Sequence, residues 1–181
     1  MKNILTLLSF FLLVYTANAQ ELNLNEPLPV NQKIKKGVLK NGLTYYIYKT
    51  DVVKNVASYY IIQNVGSILE NDDQLGLAHF LEHMAFNGTQ NFPGKGVLNT
   101  LQKHGAVFAK DINAYTAFDE TVYNMNNIPT KVPGLVDTSL LILHDWADGL
   151  LLTNEEIDAE RGVIKEEWRT RQNGDMRLFK S

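Results

Sequence analysis

Cysteine is absent from all 181 residues. That excludes a disulfide framework, a thiolate metal site and a lipid-modified cysteine. The chain has no apolar run of the roughly 20 residues that a membrane-spanning helix needs. Its longest run, Ile4 to Val14, falls well short of that length. Internal repeats, low-complexity tracts and a glycine-rich phosphate loop are also missing, so neither a repeat array nor P-loop nucleotide chemistry is in prospect. There is no excess of basic charge: the formal net charge is −3, which argues against a general nucleic-acid binder. Histidine is scarce as well, four in the whole chain.

Two of those four histidines stand in one short stretch, Leu75 to Asn87, reading LGLAHFLEHMAFN. Residues four apart on an α-helix lie one turn above each other on the same face, so His79 and His83 point the same way and can grip one cation. Glu82 sits beside them. The surrounding Leu77, Ala78, Phe80, Leu81, Met84 and Phe86 predict a buried helix, where polar groups need partners. Neutral imidazole is a good zinc ligand, and a catalytic zinc takes three protein ligands plus a water, so the reading is a zinc site with Glu82 as base. The order His-x-x-Glu-His is the inverzincin signature. The bland alternative is a core helix with two satisfied histidines.

A third ligand is needed, and Asn154 to Gln172 (NEEIDAERGVIKEEWRTRQ) is dense in candidates. It reads as a helix with Asn154 as N-cap, acidic residues in its first turn and basic ones toward its end. Glu160, Val163, Ile164, Glu167 and Trp168 share one face by the three-and-four rule. Two glutamates one heptad apart on such a face suit a helix that turns a carboxylate toward a cation; the alternative is a solvated helix whose glutamates pair with Arg161 or Arg171.

HFLEHMAF followed by ERGVIKEEW resembles the amino-terminal catalytic domain of the pitrilysin/insulinase family of zinc metallopeptidases. NAYTAFDETVYNM, residues 113 to 125, is similar to the family's substrate-side strand. The resemblance implies one zinc per chain held by His79, His83 and Glu160, with Glu82 as the catalytic base. It further implies Glu167 as a supporting carboxylate behind the ligands, and Asn113 and Ala114 as holders of the substrate backbone. The implied activity is zinc-dependent endopeptidase action on a peptide or small protein. Family members are several times longer, so the resemblance also implies that the domain is incomplete at Ser181 and that a C-terminal half or second chain closes the chamber. The competing class is a non-catalytic binding or scaffold subunit of the same fold, or an inactive fragment. Such subunits usually lose site residues, and this chain keeps all of them.

Residues 1–19 carry a basic start, the apolar run and an Ala17-Asn18-Ala19 cleavage site, which predicts a signal peptide and a secreted, periplasmic protein that leaves no membrane anchor after cleavage; the alternative is an uncleaved amino-terminal membrane anchor. Residues 20–36 are expected to form an extended arm, and 37–181 the metallopeptidase-like domain. Gly37 to Tyr48 holds two β-rich runs around Asn41-Gly42, a hairpin signal. Val56 to Val65 predicts a central strand, Gly94 to His104 a short helix, and Ala106 to Lys110, Asn113 to Thr116 and Glu120 to Asn124 strand pieces. Pro129 to Leu152 predicts a long amphipathic helix. His104 and His144 have no partner at ligand spacing. The order of elements predicts an α+β fold, a mainly antiparallel sheet backed by helices, with the metal site between two of them.

Overall fold

Asn41 and Gly42 reverse the chain into a hairpin, as their turn chemistry predicts. In the computed structural model, which describes residues 29–171, strand β1 (Ile34–Val38) pairs antiparallel with β2 (Thr44–Tyr48). Gly42 takes the left-handed φ of +91° that the turn requires. Strand pairing starts at Ile34, opposite Tyr48, so the last residues of the expected arm belong to a sheet. This hairpin belongs to the first of two compact units, which divide at Thr50 and Asp51. The expected signal peptide and the chain beyond Arg171 lie outside the described residues. Among those described, no helix is long and apolar enough to cross a membrane.

The second unit is built on three antiparallel strands, β3 (Val56–Gln63), β4 (Ile112–Thr116) and β5 (Thr121–Pro129), in the order β3-β5-β4. The expected central strand, β3, is therefore at an edge, and β5 is the middle one. Burial along β5 explains why: Thr121, Val122 and Tyr123 are buried in succession. Successive strand residues point to opposite faces, so both faces of β5 are covered. The expected strand at Ala106–Lys110 is instead a turn, with Ala109 at a φ of +65° and the Asp111 Oδ2 accepting from the Val107 N–H at 3.0 Å.

Among the described residues four α-helices accompany this sheet: α1 (Leu77–Met84), α2 (Gly96–Gln102), α3 (Leu135–Asp148) and α4 (Asn154–Thr170). Helix α3 buries Leu135, Ser139, Ile142, Asp145 and Trp146, a stripe at three-and-four spacing. Trp146 stacks on Tyr123, meets Phe86 edge-on and donates its indole N–H to the Ala85 carbonyl at 3.0 Å, which locks the end of α1 into the core. Helix α1 is buried on one side only: Ala78 and Met84 face inward, whereas Leu77 and Leu81 are exposed. Its first turn is capped from a distance. The Glu70 carboxylate accepts from the Gly76 and Ala78 N–H groups at 2.7 and 2.8 Å, supplying the anion that a helix N-terminus favours. Helix α4 takes its cap one residue earlier than expected, Thr153 Oγ1 accepting from the Glu156 N–H.

What brings α4 beside α1 is a buried clamp. The loop after α1 runs against the segment that joins α3 to α4: Gln90 N–H donates to Gly149 O at 2.8 Å, Leu151 N–H to Gly88 O at 3.1 Å, and Thr89 bridges Leu150. Beneath it lies Asp145, fully buried. Its Oδ2 accepts from the Thr89 hydroxyl at 2.6 Å and the Asn91 backbone N–H at 2.9 Å, and its Oδ1 from the Asn91 side chain at 2.8 Å. Gly149 must remain small, because an added Cβ would lie 2.9 Å from the Asp145 Cα. Burial opposes the Asp145 charge, and the Thr89 and Asn91 hydrogen bonds outweigh it, so the carboxyl titrates below its usual range. Asp145→Ala orphans these donors and is expected to destabilise the fold by about 3 kcal/mol, a Tm loss of roughly 10 °C. A lowered native pKa means that the ionised clamp's contribution is complete above the ordinary carboxylate range and is lost as pH falls through the native value. Thermal melts of parent and Asp145→Asn should therefore differ most near neutrality and converge in acid.

Candidate metal centre

His79 and His83 project from one face of α1 toward α4, and their Nε2 atoms stand 3.2 Å apart. Helix α4 contributes Glu167, whose Oε2 lies 3.2 Å from His83 Nε2 and 3.7 Å from His79 Nε2. Three donors bonded to one tetrahedral zinc at about 2.0–2.1 Å would sit about 3.4 Å from one another. The observed triangle brackets that spacing. Among the described residues this is the group whose geometry could hold a metal ion, and two imidazoles with one carboxylate are a donor set that zinc accepts. The second Glu167 oxygen is paired with the Arg171 guanidinium one turn on, which fixes the carboxylate's rotation.

Glu160 reaches the other side of the same ring. Its Oε1 lies 2.8 Å from His83 Nδ1, and its Oε2 accepts from the Asn87 amide at 2.5 Å. The geometry thus exchanges the places expected of the two glutamates: Glu167 meets the Nε2 pair, and Glu160 stands behind His83. Seven residues make nearly two helical turns, so both carboxylates share a face but sit about 10 Å apart along the axis. Which one is level with the histidines depends on how far α4 slides along α1, and periodicity is silent on that.

Glu82 reaches the sheet. Its Oε2 accepts from the Thr116 hydroxyl on β4 at 2.6 Å. Tyr123, on β5, lies near enough for the Glu82 charge to act on it. Burial chiefly, and that charge in addition, push the Tyr123 phenol above its usual range, so it remains protonated. Asn113 and Ala114 lie on β4, an edge strand among the described residues, and pair with Asn124 and Tyr123 of β5. Both help to line a cleft of about 340 Å³ that also meets Glu82, His83 and Glu160, with Phe86, Phe108 and Val163 as apolar wall. His144 is exposed and lies beside Asp145, and His104 is an exposed loop residue; among the described residues neither belongs to the group that could hold a metal ion.

Asn87 and Thr116 were not singled out by chemistry in the sequence. A signal for Asn87 exists in the spacing, since 79, 83 and 87 continue one helical face. Thr116 had none, because its contact with Glu82 spans two elements.

A half-buried His-His-carboxylate triangle with a second carboxylate behind it, set between two helices beside an antiparallel sheet, has the donor set of the centres that metallohydrolases use. The family described as insulinase, peptidase family M16, matches residues 45–178, and the chain belongs to that family. It is 36% identical over 173 residues to a probable zinc protease PqqL of Haemophilus influenzae, covering 94% of this chain and 19% of the relative. With the probable zinc protease PqqL of Escherichia coli it is 41% identical over 150 residues, 83% of this chain and 16% of the relative. The crystal structure of the first half of the periplasmic protease PqqL from Escherichia coli superposes with a TM-score of 0.79 at 40% identity, over 84% of this chain and 32% of that one. The chain thus spans less than a fifth of the length of these two curated relatives.

Proposed function

We propose that this chain carries the metal-binding and catalytic residues of a zinc endopeptidase, with His79, His83 and Glu167 holding one zinc ion. Bound zinc supplies Lewis acidity, which acidifies water and polarises a carbonyl oxygen. The chain's own residues do the rest. Glu160 accepts from His83 Nδ1–H and so keeps the Nε2 lone pair aimed at the metal. The Thr116 hydroxyl holds one oxygen of Glu82, leaving the other to take a proton from the attacking water and deliver it to the departing amine. The open N–H and C=O groups at Asn113 and Ala114 pair with an extended peptide, adding it as a further strand, while the cleft takes one of its side chains.

The observation that carries this reading is the triangle of 3.2, 3.2 and 3.7 Å with Glu82 lining the same cleft as His83. For the whole protein, we infer peptide or small-protein substrates, a second half or second chain that closes the site, and export to the periplasm directed by residues 1–19, which are then removed. The test is elemental analysis of the purified mature chain together with hydrolysis of a fluorogenic peptide, with and without a chelator. The reading expects zinc near one equivalent and chelator-sensitive hydrolysis restored by zinc. Zinc without hydrolysis locates turnover in a form that includes the second half. Absence of zinc contradicts the site.

A further inference from the structure

Behind the metal centre the hydrogen bonds continue, and their chemistry permits one arrangement. The Lys95 ammonium donates to the Asn87 Oδ1. Asn87 Nδ2–H donates to Glu160 Oε2 at 2.5 Å, and Glu160 Oε1 faces His83 Nδ1 at 2.8 Å. An ammonium can only donate and a carboxylate can only accept, so an amide between them is oriented by both of its neighbours. Lys95 takes the carbonyl end of Asn87, which leaves the NH₂ end for Glu160. Glu160, held on one oxygen, presents the other to His83, and a carboxylate there demands a proton on Nδ1. With a metal ion bound, Nε2 is then the unprotonated nitrogen, and it is the one that faces His79 and Glu167; without one, Glu167 Oε2 at 3.2 Å can accept from a protonated Nε2.

We propose that Asn87 and Lys95 are positioning residues for the metal centre, acting through Glu160 to fix the tautomer and rotation of His83. This rests on the reading of His79, His83 and Glu167 as zinc ligands. Asn87 is suited to the task because it is buried and sits one turn beyond His83, past the end of α1 in a segment pinned by the Trp146–Ala85 bond. Lys95 reaches in from the solvent side, at the start of α2.

The test is the zinc dissociation constant of the full chain, measured by competition with a chelating dye, for the parent, Asn87→Leu, Lys95→Met and Lys95→Arg, alongside melting of each metal-free chain. Asn87→Leu is expected to weaken zinc binding about 10–100-fold, the usual effect of losing a partner behind a ligand. Lys95→Met should weaken it by at least about threefold, and Lys95→Arg, which restores a donor, should return it to the parent value. The sign of the Lys95→Met effect is decisive. Removing a cation near a divalent metal would by Coulomb interaction alone strengthen binding, whereas loss of the relay weakens it. If Lys95→Met binds zinc as tightly as the parent or more tightly, the relay is overturned, and because Lys95 is exposed this arm stands even where Asn87→Leu fails to fold. A parent chain that binds no zinc overturns the metal site itself, a different failure from a parent that binds and variants that do not differ.

Discussion

Replacing Glu82 by glutamine is expected to lower kcat by about 10²–10⁴-fold, the range for loss of a general base, while zinc affinity and melting temperature remain those of the parent. Glutamine is isosteric, and its amide oxygen can still accept from Thr116, so the contact with β4 survives. Only the capacity to hold a proton is lost. Glu82 is held by Thr116 and is outside the group proposed to hold the metal, so the change leaves the proposed ligands intact. The comparison should be made on whichever form hydrolyses peptide, this chain alone or joined to a completing half. A Glu82→Gln variant that cleaves at the parent's rate removes Glu82 from the chemistry.

The second large effect separates the two glutamates of α4. Glu167→Ala deletes one of three donors and is expected to strip zinc from the protein in the presence of a competing chelator. Glu160→Ala leaves the three proposed donors in place and loses the partner of His83 Nδ1 and of the Asn87 amide, for which an about 10–100-fold weaker zinc affinity is expected. Arg171 adds a check, since its ion pair with Glu167 is exposed to solvent and Arg171→Ala should have a small effect. If the order is reversed, with Glu160→Ala abolishing binding and Glu167→Ala weakening it, Glu160 is the ligand.

Much of the fold can be read from the residues because local physics specifies it. Asn41-Gly42 dictates a hairpin, the three-and-four stripe from Leu135 to Trp146 dictates a helix, and the spacing of His79 and His83 dictates a shared face. The departures have a common origin in tertiary placement. Both β3 and β5 have strand chemistry, and only the pairing of β5 with two partners makes it central. Leu77 and Leu81 look like core residues in isolation, yet they lie on the side of α1 away from the sheet. The placement of Glu167 rather than Glu160 against the Nε2 pair is of the same kind, because a heptad repeat preserves the face and says nothing about height. Asp145 escaped notice for a different reason: an aspartate within an amphipathic helix reads as solvated, and its donors come from a loop more than fifty residues earlier.

Anomalous diffraction at the zinc edge from zinc-loaded crystals of the chain tests the central claim most directly. A single peak is expected about 2.0–2.2 Å from His79 Nε2, His83 Nε2 and a Glu167 oxygen, with Glu160 remaining on His83 Nδ1. A peak on the Nδ1 side of His83, between Glu160 and Asn87, or no peak between the two helices, would contradict it.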